Sequence, residues 1–432
     1  MNTNKRITTI IGAGAPMDFS YSKEMVKPST ANITNKIIEK YDVFDIVNHK
    51  SITSYLAKRI YQRLNKLYPI KDNWKEEKKE RNINFEMVFH VLESLYAYNP
   101  VWRGGCNNPD TYPLFAPFVK SRINKDIDLI SQIFPQFIMR IMDIINSYNQ
   151  HFIENKNIAE KWYFDFFSRE SVLWDIFNLN YDTTIENCIM NFNDGFETIN
   201  GENFMKFNPS VLWQSSLSTI NHLHGCINYY FDSYKDPNEN AFNCGFHDLY
   251  KYKSYDEVKK KMEGRSYSNP ANQTGESYYI SPIITGLRKT DKITNFPLDF
   301  YYGKLYKSVI ENNYLIIIGY SFGDLYINNL IENMLAIHGD KAKIVLIDYW
   351  DKNKIDSQGF EHYCEYCVPS NEMSVIVKAS KQNLYKASKS LRKKYESNYL
   401  LSENGRLMLF IDGFKQASTS TDEIFSFLGN NK

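Results

Sequence analysis

Two polar stretches carry groups suited to proton transfer. Asn178-Leu179-Asn180-Tyr181-Asp182 sets an amide two residues before a carboxylate, and His222-Leu223-His224-Gly225 adds two imidazoles. An imidazole titrates near pH ~6.5 and can take a proton from water or a hydroxyl at neutral pH. An amide can orient that water without bringing charge, and a carboxylate can accept hydrogen bonds or stabilise a nearby positive charge. Two glycine turns, Ile11-Gly12-Ala13-Gly14-Ala15 and Gly319-Tyr320-Ser321-Phe322-Gly323-Asp324, let the backbone bring its N–H groups close to phosphate oxygens. Asp348 closes another apolar run. There it can accept from a ribose diol, and its charge would repel a 2′-phosphate.

Each motif alone also has a plainer explanation. Asn180 and Asp182 suit a turn that caps a helix near Thr183, and Ser321 or Asp324 suits a strand-to-helix loop. Alternation puts His222 and His224 on one face, where either could be an ordinary core or surface histidine. A metal pair is conceivable, but no Glu or third His lies nearby at ligand spacing.

The elements around these motifs read as an α/β fold. Residues 6–11, 314–318 and 343–347 are short runs apolar on both faces, each followed by glycine or an acid, as strands of a covered parallel sheet require. Further strands are expected at 174–179, 219–227, 278–285, 374–378 and 407–411. Helices are expected after Ser29 or Thr30, where Ile33, Ile37, Ile38 and Tyr41 recur, and over 324–337. Residues 50–166 lack strand signals and repeat helical ones, for example Phe85, Val88, Phe89, Leu92 and Leu95. They read as an all-helical insertion into a sheet domain made of 1–49 and 167–432. In an open parallel sheet, ligands bind beyond the carboxyl ends of the strands, and every motif above falls at such an end.

Taken in order, Gly-Ala-Gly on the first strand, Asn-x-Asp, His-Gly, Gly-x-Ser before a helix and an acid after the next strand resemble the sirtuin family. The resemblance spans roughly residues 6 to 350, and is greater to the sirtuin-like NAD hydrolases of bacterial anti-phage defence, which carry a helical insertion and lack the zinc ribbon. It implies a Rossmann-like sheet binding NAD as substrate, with Gly12, Ala13, Gly14, Gly319 and Ser321 holding the dinucleotide and Asp348 on a ribose. It further implies that Asn180 positions the reacting ribose and water, Asp182 shapes the nicotinamide pocket and His224 is the base. His222 matches no catalytic position of the family. Pro16 stands where relatives usually carry serine. Of the Pro-Asp-Phe-Arg segment of the deacetylating members only Asp18-Phe19 is present, which makes Asp18 a further candidate cofactor contact. The implied reaction is hydrolysis of the nicotinamide–ribose bond; NAD-dependent protein deacylation and non-catalytic NAD or ADP-ribose sensing are the alternatives.

Composition excludes several classes. The chain carries 51 Lys and Arg against 50 Asp and Glu, so no net field draws it to nucleic acid or an anionic membrane. No signal-peptide stretch or membrane span is evident, and a cytoplasmic location is expected. Cysteines 106, 188, 226, 244, 364 and 367 are too scattered for a disulfide framework. Cys364 and Cys367 form one Cys-x-x-Cys pair where a structural zinc needs two, so no metal is expected. An NAD hydrolase must be gated, and the resemblance implies a homo-oligomer working with an AAA-type (HerA-like) ATPase or another phage-sensing partner.

Overall fold

The computed structural model describes residues 6–38, 41–45, 50–67, 83–97, 130–214, 216–232, 248–262, 281–286, 289–293, 297–382 and 398–429. Its centre is an eight-stranded sheet built from β1 (Arg6–Ile11), β4 (Leu173–Asn178), β5 (Phe192–Asn193), β8 (Ser218–His222), β11 (Tyr314–Ile318), β12 (Lys343–Ile347), β13 (Leu400–Leu401) and β14 (Leu407–Phe410). The order is β13-β14-β12-β11-β1-β4-β8-β5, and every pairing is parallel except β13 with β14. The fold is therefore α/β and Rossmann-like. After β1 the chain builds outward through β4 and β8; it then returns to β1's other edge and continues through β11, β12 and β14. The β1–β11 boundary is thus a topological switch point, where the loops of neighbouring strands turn apart and open a crevice.

The period of two explains the layers. Ile10, Leu315, Ile317, Ile344 and Leu346 face a core shared with helices Phe85–Ala97, Ile130–Asn155 and Leu325–His338. Ile7, Ile11, Ile316, Ile318, Val345 and Ile347 face the opposite core. There, Phe166 of Lys161–Phe167 meets Phe414 of Phe414–Ser418 edge-on at 4.9 Å. The stretch beyond residue 350 adds β14 and β13 to the sheet and packs helices on both of its faces, Met373 and Ile376 in the first core and Phe414 and Phe425 in the opposite one.

Of the two expected caps Ser29 is the one used by helix Thr30–Ile37, its Oγ accepting from Asn32 N at 3.1 Å, an arrangement that contributes about 1 kcal/mol. In the helix Phe85–Ala97 the five positions 85, 88, 89, 92 and 95 are all buried. Residue 50, expected to open a helical stretch, instead begins β3 (Lys50–Ser54), which pairs antiparallel with β2 (Tyr41–Asp45); the helical pattern starts at Leu56.

Three strand expectations are corrected. Residues 374–378 lie in the helix Ser370–Ser380, whose buried Met373, Val375, Ile376 and Ala379 mark a helical face that a five-residue window could not separate from a strand. The run 219–227 stops as a strand at His222: Gly225 takes φ +78° and turns the chain, so His222 and His224 do not share a strand face. Of the run 278–285, residues 278–280 lie outside the described residues, and Ile283 makes a single bridge with Gly225. A second, antiparallel sheet of β6 (Phe196–Thr198), β7 (Phe204–Phe207), β10 (Asp248–Tyr252) and β9 (Tyr229–Asp232) was not anticipated, its strands being too short to show alternation. No helix among the described residues is long and apolar enough to cross a membrane.

Candidate functional site

A cavity of about 740 Å³ opens at the carboxyl ends of the parallel strands, within the ~300–1,000 Å³ usual for small-molecule sites. The loop after β1 supplies Gly12, Ala13 and Gly14; after β4 come Leu179, Asn180 and Tyr181; after β8, His224. Gly319, Tyr320 and Ser321 follow β11, and Asp348, Tyr349 and Trp350 follow β12. Further wall comes from Asn84 and the start of the helix Phe85–Ala97, from Ile145 and Tyr148 on the helix Ile130–Asn155, from Pro28 to Thr30, and from Tyr363, Cys367, Val368, Pro369 and Glu372 beyond β12.

The two glycine turns are pressed together backbone to backbone. Gly12 N donates to Ile318 O and Gly14 N to Gly319 O, each at 2.9 Å. A Cβ on Gly12 would lie 2.5 Å from Gly319 O, and one on Gly319, already at φ +56°, would lie 2.4 Å from Ala15 N. These glycines are needed for mutual approach, and the N–H groups of Gly12 and Gly14 are already spent. Among the described residues the N–H groups of Ala13, Ser321 and Gly323 meet no protein acceptor, and all three residues line the cavity. Phe322 sits at φ +55°, a conformation costly for an aromatic residue. Its carbonyl is held there by the side-chain amides of Asn328 (2.8 Å) and Asn371 (3.1 Å). That tension fixes the loop between Ser321 and the helix Leu325–His338.

Asn180 is buried, and its Nδ2 donates to Gly12 O at 3.1 Å. Its Oδ1 is left as the acceptor at the cavity wall. His224 is buried with Nε2 3.5 Å from Asp324 Oδ2, an ion-pair separation at the outer limit of hydrogen bonding. Burial lowers the His224 pKa, and the Lys289 charge lowers it further; the carboxylate of Asp324 acts the other way without prevailing. For Asp324 burial acts to raise the pKa, but the His224 imidazole beside it and the Lys289 charge hold it below the usual carboxylate value. The same carboxylate caps the helix Leu325–His338, Oδ1 accepting from Tyr326 N at 3.0 Å. Neutral imidazole facing an ionised carboxylate is the arrangement of an oriented general base.

Asp182 does not reach the cavity lining. It is fully buried and accepts from Thr184 N (3.0 Å), Thr184 Oγ1 (2.5 Å) and Tyr148 Oη (3.4 Å). Burial raises its pKa against those hydrogen bonds. Tyr148 stands between it and the cavity. Asp18 also lies apart: its Oδ2 accepts from Lys415 N at 3.0 Å, at the start of the helix Phe414–Ser418.

Asp348 lines the cavity, with Oδ1 accepting from Tyr349 N at 2.8 Å. Beside it lies Glu372, fully buried, whose Oε1 accepts from Trp350 Nε1 at 3.2 Å. Burial pushes the Glu372 pKa well up, and the Asp348 charge pushes it further; burial raises the Asp348 pKa as well. Glu372, and the Lys289–Glu86 ion pair (2.8 Å) in the wall, were not found from sequence. Glu372 lies in the stretch next to the strand expected at 374–378, and nothing local links Lys289 to Glu86. Asp324 was read only as a cap; an acid directly after a Gly-x-Ser turn was the available signal.

No protein-family model and no curated protein matches the chain. A solved structure described as "The Structural basis for Sirtuin Substrate affinity" is similar over 50% of this chain and 83% of its own, at 12% identity and a TM-score of 0.25. A likeness of that size assigns no function.

Proposed function

We propose that this chain binds NAD at the carboxyl ends of β1, β4, β8, β11 and β12 and hydrolyses its nicotinamide–ribose bond, depleting NAD in anti-phage defence. One observation carries the reading. Asn180 and His224, from separate strand ends, line one cavity together with both glycine turns and the strand-end acid Asp348.

The free N–H groups of Ala13, Ser321 and Gly323 suit the pyrophosphate. Asp348 suits a ribose diol and disfavours a 2′-phosphate. As the glycosidic bond breaks, neutral nicotinamide leaves with the bonding pair, and positive charge develops on the ribose. Water adds at that carbon, and its proton goes to the neutral imidazole of His224. Asn180 Oδ1 orients the water, while the amide's bond to Gly12 keeps it in register with the pyrophosphate turn. Asp182 is then a positioning residue: it braces Tyr148 from behind the wall rather than touching the substrate. Gating by self-association or by an AAA-type ATPase partner belongs to the same proposal.

Incubating the purified chain with NAD, alone and with candidate partners, should release nicotinamide and ADP-ribose in equal amounts. Wild-type rates in folded His224→Ala or Asn180→Ala would overturn the reading. Tight NAD binding without any nicotinamide release would make the chain a sensor, and an O-acyl-ADP-ribose product from an acyl-lysine peptide would make it a deacylase.

A further inference from the structure

Behind the Asn180–Asp182 loop three side chains converge. Glu186 lies in the turn Ile185–Asn187, His222 ends β8, and Cys226 follows the Gly225 turn. One ligand atom of each lies within 4.8 Å of the others. His222 and Cys226 are fully buried, and the Glu186 side chain is 10% exposed. His222 Nε2 and Glu186 Oε1 are hydrogen-bonded at 2.8 Å. That bond leaves His222 Nδ1 and Glu186 Oε2 buried without hydrogen-bond partners among the described residues. Buried lone pairs without a donor are uncommon because their desolvation goes uncompensated.

We propose that Glu186, His222 and Cys226 form a site for one thiophilic divalent cation of the zinc class. Thiolate, imidazole and a single carboxylate select zinc over magnesium or calcium, which prefer larger sets of oxygens. Charge supports the choice. Lys251 Nζ is 2.5 Å from Asp194 Oδ2 and 3.8 Å from Glu186 Oε1, so lysine and Asp194 largely neutralise each other. The Glu186 carboxylate, plus the thiolate formed when Cys226 gives its proton to solvent, balances the two charges of the ion. The ion would pin the turn that follows Asp182 to the end of β8, just before His224. The proposal departs from the metal-free expectation from cysteine spacing because Glu186 lies 36 residues before His222, and folding alone joins them.

The full chain, purified reduced and stripped with chelator, should take up one Co²⁺ with a thiolate-to-cobalt charge-transfer band, lost on adding Zn²⁺. Folded Cys226→Ser and His222→Ala should lose the band and the stoichiometric binding, while Cys364→Ser, at a buried thiol elsewhere, should keep both. Absence of the band in stripped, folded wild-type chain would overturn the proposal, and this arm stands even if the variants fail to fold. Persistence of the band in Cys226→Ser, or its loss in Cys364→Ser, would overturn it equally.

Discussion

Asn180 Nδ2 donates to the carbonyl oxygen of Gly12 across 3.1 Å, tying the end of β4 to the first glycine turn. The residue proposed to orient water is thereby locked to the loop proposed to hold the pyrophosphate. Asn180→Ala removes both the water's acceptor and this tie. A fall in kcat of about 10²-fold is expected from lost positioning, with about 1 kcal/mol of stability lost with the hydrogen bond. Nicotinamide release and urea unfolding measure the two, and an unchanged kcat would remove Asn180 from the site.

His224→Ala should reduce kcat/KM by about 10²–10⁴-fold, the range of general-base contributions. Because burial and Lys289 lower the His224 pKa, the imidazole stays neutral below pH ~6.5. The acid limb of the kcat/KM profile should therefore lie below the ordinary histidine value. Asp324→Asn keeps a helix-capping oxygen but removes the charge that raises the His224 pKa, so the limb should move further down. A limb that moves up would contradict the pairing.

Gly12→Ala should destabilise the fold by about 1–3 kcal/mol through overpacking, since its Cβ would meet Gly319 O at 2.5 Å and backbone cannot yield as a side chain can. Gly201→Ala, where nothing lies within 4 Å but φ is +87°, separates strain from collision. Its loss, measured by thermal unfolding, should be the smaller of the two.

Burial and the Asp348 charge raise the Glu372 pKa in the folded chain, whereas in the unfolded chain the carboxyl titrates near pH ~4.3. A carboxyl with a raised folded pKa supports stability less as pH rises from the unfolded toward the folded value. Wild-type urea midpoints should therefore drop from pH 5 to pH 8 by more than those of Glu372→Gln, which retains the acceptor for Trp350 Nε1. Parallel pH profiles would show that Glu372 is ionised in the fold.

The amino-acid sequence alone determined the strands β1, β11, β12 and β14 and the glycine turns after two of them, and narrowed two helix caps to Ser29 or Thr30 and Ser321 or Asp324. Those features follow from local rules: apolar runs of strand length, glycine where chains approach, and acceptors beside free N–H groups. Only the tertiary structure decided that Asp182 sits behind Tyr148, that Asp18 holds a distant helix, and that Glu372 stands beside Asp348. It also turned residues 374–378 into a helix and brought Glu186 to His222 and Cys226. The reason is range: periodicity records which face of an element is buried, whereas the partner across that face comes from another part of the chain, chosen by packing and desolvation.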